Sequence, residues 1–135
     1  MTARFFVGTA RGQGKYVYLD TVETATLTAT GMTTSPTGTA KYTILGSVVV
    51  LDIPLITGTS NAVTFTLTGA PTSIAPAADK DMLCRIVDNG AAIAVGLLRV
   101  KTTGVIELYA SPAAAAFTAA GTKSVNPMSV SYTLA

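Results

Sequence analysis

The sequence predicts an all-β protein: an antiparallel β-sandwich, jelly-roll-like, of about eight strands. Three observations carry this. Threonine alternates with large apolar residues, as in "VTFTLT" (63–68), where Val63, Phe65 and Leu67 fall on one side and the threonines on the other. Turn residues interrupt such runs at short intervals, and no segment reads as a convincing helix. Threonine is β-branched, so it suits a pleated strand while leaving a neutral, hydroxyl-rich outer face.

Taken in order, "TATLTAT" (24–30) sets Ala25, Leu27 and Ala29 against threonines, and "GMTTSPTG" (31–38) is a loop by composition. "TAKYTIL" (39–45) runs into Gly46-Ser47, a tight hairpin turn, and "VVVLDIPLI" (48–56) returns, with Pro54 marking an edge strand or a bulge. The strand around Phe65 and the loop "GAPTSIAPAAD" (69–79) come next. "MLCRIVD" (82–88) then meets Asn89-Gly90, a strong hairpin signal, and "AAIAVGLLRV" (91–100) returns with a bulge or bend expected at Gly96. "KTTG" (101–104) turns into "VIELYA" (105–110). "SPAAAAFTAAGTKS" (111–124) reads as a long loop, and "MSVSYTLA" (128–135) closes the chain as a strand. The expected core includes Phe65, Leu67, Cys84, Ile86 and Val95.

Residues 1–22 read as an N-terminal arm and 23–135 as the β domain. In the arm, "RFFV" and "YVYLD" flank the basic, glycine-rich "GTARGQGK". Arg4, Phe5, Phe6, Arg11, Lys15, Tyr16 and Tyr18 are the candidate partner-binding residues. The same stretch also reads as an ordinary first strand of the sheet.

The chain has 135 residues, enough for one domain with a real core. Its net charge of +2 comes from nine basic and seven acidic residues, scattered rather than clustered, so no nucleic-acid partner is expected. Only 12% of residues are charged, against roughly 25% in a typical soluble domain. Such a neutral surface is expected to be covered by copies of the same chain or by another protein. No run approaches the roughly 18 apolar residues of a membrane span, and the N-terminus lacks the apolar core of a secretory signal.

Chemistry is sparse. Histidine is absent, which removes the usual serine and cysteine triads and most transition-metal sites. Cys84 reads as a buried structural thiol, in keeping with synthesis in a reducing cytoplasm. Asp79 and Asp81, beside Lys80, read as a solvated or salt-bridged cluster. Asp88 belongs to its turn, and Asp52 is placed to pair with Lys41 on the neighbouring strand. Tyr16, Tyr18, Tyr42, Tyr109 and Tyr132 read as core edge or subunit contact rather than as a sugar-stacking platform, which the absence of tryptophan disfavours. Neither an enzyme nor a cofactor is expected.

The ordered motifs carry a resemblance. The run "SPTGTAKYTILGSVVVLDIPLITGTSNAVTFTLTGAPTSIAPAAD" is followed by "RIVDNGAAIAVGLLRV", "TTGVIELYA", "AFTAAGTKSV" and the closing "VSYTL". Together they resemble the C-terminal head domain of tailed-phage tail-fibre and appendage proteins, over roughly residues 23 to 135. This chain has Ala70-Pro71 where that family has Leu-Pro, and Ala75 where an arginine often precedes Pro-Ala. Only the arm precedes the domain here, in place of a stem. The resemblance implies a trimeric β-sandwich on a virion surface. The expectation is a non-enzymatic capsid decoration, cement or head-fibre protein. It would be made in the host cytoplasm and would bind the major capsid protein or another virion protein. The alternative is a tail-fibre tip that recognises a host surface glycan or protein.

Overall fold

A computed structural model describes residues 3–7 and 15–19 as strands, and residues 22–91 and 94–135 with their side chains. The protein is all-β and antiparallel. Strand β1 (Ala3–Val7) pairs with β2 (Lys15–Leu19) as a two-stranded sheet of its own. The remaining strands are β3 (Glu23–Thr30), β4 (Thr37–Leu45), β5 (Val48–Ile53), β6 (Ile56–Thr59), β7 (Phe65–Thr68), β8 (Lys80–Val87), β9 (Ala94–Val100), β10 (Ile106–Tyr109), β11 (Thr122–Val125) and β12 (Met128–Thr133). They form one ten-stranded sheet in the order β12-β5-β4-β3-β7-β10-β9-β8-β11-β6.

The two ends of that order are lengths of one ribbon. Strand β12 pairs with β5 from Thr133 opposite Val48 to Met128 opposite Ile53. Strand β11 pairs with β6 from Val125 opposite Ile56 to Thr122 opposite Thr59. Two residues separate the paired lengths on each side, Pro54-Leu55 and Asn126-Pro127, so the register passes through without a slip and sets Pro54 against Pro127. Neither proline has an N–H to give the ladder, so pairing stops there and the ribbon bends. One half joins β4 and the other joins β8. The sheet therefore curls into a half-barrel.

Two sequence expectations change here. Strand β5 is an interior strand, and Pro54 ends its pairing rather than marking an edge. The segment 111–124 is a loop only as far as Gly121, because "TKSV" forms β11. With β5–β6 and β11–β12 counted as single bent courses, the large sheet has eight strand courses.

Alternation sorts residues between the faces. Leu27, Ala29, Ala40, Val49, Leu51, Phe65, Leu67, Ile86, Leu98, Val100, Ile106 and Leu108 lie inside with little or no exposure. Each large aliphatic side chain so buried contributes about 1.5–3 kcal/mol by removal from water. Phe117, from the loop before β11, meets Phe65 edge-to-face with ring centres 5.4 Å apart. The Gly46-Ser47 turn joins Leu45 to its partner Val48. Asn89 and Gly90 adopt positive φ, 51° and 68°, the backbone that a primed hairpin turn demands.

Val95 leaves the expected core, and Val63 does not share the inward side of Phe65 and Leu67. Val63 is 54% exposed because β7 starts only at Phe65; the Val63 carbonyl accepts from the Phe117 N–H instead of from a strand ladder. Val95 is 53% exposed because Gly96, not Val95, holds the inward position opposite Cys84. Gly96 is not a bulge, since the β8–β9 register is continuous through it. A Cβ there would lie 2.4 Å from the Tyr109 carbonyl oxygen and 2.8 Å from Ile86 Cγ1, so only glycine fits.

Candidate functional site

The most elaborate polar arrangement surrounds Lys123. This residue sits in the short strand β11, where inward alternation carries its side chain fully out of solvent. Its Nζ donates to the carbonyls of Gly31 at 3.0 Å, Ala62 at 2.8 Å and Thr64 at 2.8 Å. It also lies 5.6 Å from the centre of the Phe65 ring and 5.2 Å from that of Phe117. An ammonium has three N–H donors, and all three are used. Burial pushes its pKa below the ordinary lysine value, while the charge of Asp88 pulls it the other way. A sealed, saturated ammonium has no lone pair to offer as a base or nucleophile. What it does is tie the 31, 62 and 64 positions to β11. Ser60 adds a second tie there, with Oγ 2.6 Å from the Thr118 carbonyl oxygen. The sequence reading missed Lys123, whose only signal is a lone cation among small residues in "GTKSV".

Every described carboxylate accepts a hydrogen bond from its own surroundings. Asp81 receives both Nε (2.6 Å) and Nη2 (2.7 Å) of Arg99, and Asp79 takes Lys101 Nζ at 2.9 Å and the Thr102 N–H at 2.9 Å. Bonding to these cations holds both aspartates below the ordinary carboxylate range. Of the two expectations, solvated or salt-bridged, the aspartates meet the second, with Lys101 and Arg99 as partners and not the adjacent Lys80. Asp88 caps the Thr118 N–H at 2.9 Å and hydroxyl at 3.0 Å, which anchors the loop that leads to Lys123. Asp52 does stand opposite Lys41 in the ladder, but its carboxylate takes the Ser129 hydroxyl instead, because β12 flanks its other side. Tyr109 donates to Glu107 at 2.8 Å and Tyr42 to Glu23 at 2.5 Å; Tyr42 and Tyr132 are buried. The Cys84 thiol is buried and desolvation pushes its pKa up to about 11, so it stays protonated and unreactive at neutral pH. Among the described residues no three His, Cys, Asp or Glu side chains converge as metal ligands.

The outer surface divides in two. Over β3, β4 and β7 it is threonine, with Thr26 opposite Thr39, Thr28 opposite Thr68 and Thr30 opposite Thr66. Over β8 and β9 it is mixed, with the Asp81–Arg99 pair and Arg85 beside Leu83, 64% exposed, and Val95, 53% exposed. Between them, a cleft of about 190 Å³ lies beside Val63, Thr66, Glu107, Tyr109, Ala114 and Ala116. Ala114 holds φ at +59°, a backbone that a non-glycine residue rarely adopts.

Of the arm residues, Arg4, Phe5 and Phe6 lie in β1, and Lys15, Tyr16 and Tyr18 in β2. The register sets Arg4 opposite Tyr18 and Phe6 opposite Tyr16. Arg11 lies outside the described residues. Among the described residues, no helix is long and apolar enough to cross a membrane. No protein-family model matches the chain, and no curated protein matches it either.

Proposed function

We propose that this chain is a non-enzymatic structural protein of a tailed-phage virion: a trimeric, jelly-roll-like β-sandwich that decorates or cements the capsid, or stands on it as a head fibre. Residues 1–22 dock it on the major capsid protein or another virion protein, and the β domain faces outward. One observation supports this above the others. The segments that carry the resemblance to phage appendage head domains converge on a single structural knot. "TSNA" supplies the Ala62 carbonyl to Lys123, "FTLTG" supplies Phe65, and "FTAAGTK" supplies Phe117 and Lys123 itself. "DNG" supplies Asp88, which caps Thr118. Motifs far apart in the chain thus serve one framework, which favours a common fold over chance composition.

Two further features fit. A bent ribbon at Pro54 and Pro127 is the kind of corner by which sandwich strands pass from one layer to the other. The low charge and the exposed apolar residues suit a protein that hides much of its surface in an assembly. A second reading, the receptor-binding tip of a tail fibre, draws on the cleft beside Glu107 and Tyr109, whose floor is apolar and whose rim bears a carboxylate and hydroxyls. Copy number per virion, measured by quantitative mass spectrometry, separates the two. A number commensurate with the capsid lattice is expected; a handful of copies supports the tail.

A further inference from the structure

The structure assigns a self-association surface: the outer face of β8 and β9, with the groove beside Pro127 and Met128, receives a second copy of this chain. This locates the contact within the assembly proposed above and rests on that part of the reading.

The molecule supplies its own standard for a solvent-facing strand. At outward positions of β3 and β7 it places Thr26, Thr28, Thr30, Thr66 and Thr68, each set beside another threonine across the ladder. The pattern changes on β8 and β9. The outward row there holds Asp81 opposite Arg99, Leu83 opposite Leu97, which is only 7% exposed, and Arg85 opposite Val95. Leu83 is 64% exposed and Val95 53%, the reverse of where such residues settle in water. Threonine would keep the strand and wet the face equally well at both places. Leucine and valine there fit a surface that is dry in the working state.

The occupant follows from charge. The groove of about 330 Å³ on this face is lined by Leu83, Arg85, Val95, Pro127 and Met128. Across the same Pro127-Met128 corner lies a second hollow, of about 340 Å³, lined by Asp52, Ile53 and Ser129. One hollow bears a cation and the other an anion. Among the described residues neither Arg85 nor Asp52 forms an ion pair. Two copies therefore carry complementary sides, the Arg85 groove of one against the Asp52 hollow of the next, each with an apolar centre and a charged rim.

The test is sedimentation equilibrium of the full chain and four variants. Leu83→Thr/Val95→Thr installs the residue used on the wet face, so the fold is kept, as far-UV circular dichroism checks. It is expected to weaken association by at least about tenfold. Arg85→Glu and Asp52→Lys are each expected to weaken it similarly, and Arg85→Glu/Asp52→Lys to restore it to within about threefold of the unchanged chain. Association of the threonine variant at wild-type strength overturns this interface while leaving the assembly intact. A charge-swapped double variant no better than the single ones refutes the Arg85–Asp52 pairing. A wild-type chain that stays monomeric at about 100 μM overturns both the interface and the trimer.

Discussion

The ammonium of Lys123 stands 5.2 Å from the centre of the Phe117 ring, and both residues arrive in the core from one loop and the short strand that follows it. The contact closes the curled sheet from within. Three carbonyls from two distant loops accept from a single side chain, and the aromatic pair Phe65 and Phe117 lies beside it.

Lys123→Met is expected to destabilise the fold. It keeps much of the length but takes the donor from the Thr64 carbonyl and leaves the Gly31 and Ala62 carbonyls with only the Asn61 N–H and the Ser60 hydroxyl. The expected loss is about 1–3 kcal/mol, read from the midpoint of a urea unfolding series. A loss under about 1 kcal/mol contradicts the structural role given to this lysine.

Phe65→Ala removes a ring that is 1% exposed and edge-on to Phe117. Destabilisation of about 3–5 kcal/mol is expected. Val63→Ala, two residues earlier, is expected to cost no more than about 0.5 kcal/mol, because Val63 faces solvent. The contrast between the two, measured by the same denaturation, fixes where the strand begins.

How much of this was legible follows from range. Ala25, Leu27 and Ala29 alternate with threonines, and Asn89-Gly90 demands its backbone, so strand β3 and the β8–β9 turn could be read from neighbours alone. Lys123 could not, since its acceptors lie 92, 61 and 59 residues away in sequence. A lysine in a polar loop normally points to water, and "TKSV" consequently did not read as a strand. Val95 was misplaced because the alternation "AVGLLRV" hides that a glycine takes the inward turn. Nor did Pro54 alone reveal the ribbon, whose bend depends on Pro127 arriving opposite it.

Gly96→Ala tests that inward turn. The added methyl meets a backbone carbonyl that cannot yield as a side chain tip can. A loss of about 1–3 kcal/mol is expected from overpacking, seen as a lowered thermal midpoint with an unchanged far-UV spectrum.

Acid should weaken the fold through Asp79 and Asp81. Their pKa values are lowered by bonding to Lys101 and Arg99, so the unfolded chain takes up protons first as pH falls. The stabilisation is present above the ordinary value of 3.8 and is lost as pH drops through the lower folded values. Both pairs are solvent-exposed, so the effect is small. Asp79→Asn/Asp81→Asn should flatten that acid limb of a stability–pH curve while leaving its neutral plateau nearly unchanged. An acid limb that keeps its slope in this variant places the acid sensitivity elsewhere.

Attachment to the virion is the central claim, and co-sedimentation measures it most directly. Purified chain is mixed with phage particles that lack it, pelleted, and the bound protein quantified against added concentration. Saturable binding at a fixed ratio to the major capsid protein is expected, with loss of binding when residues 2–18 are deleted from a chain that still folds. Failure of the full-length chain to bind at any concentration contradicts the proposed function; full occupancy by the deleted chain moves the attachment from the arm to the β domain.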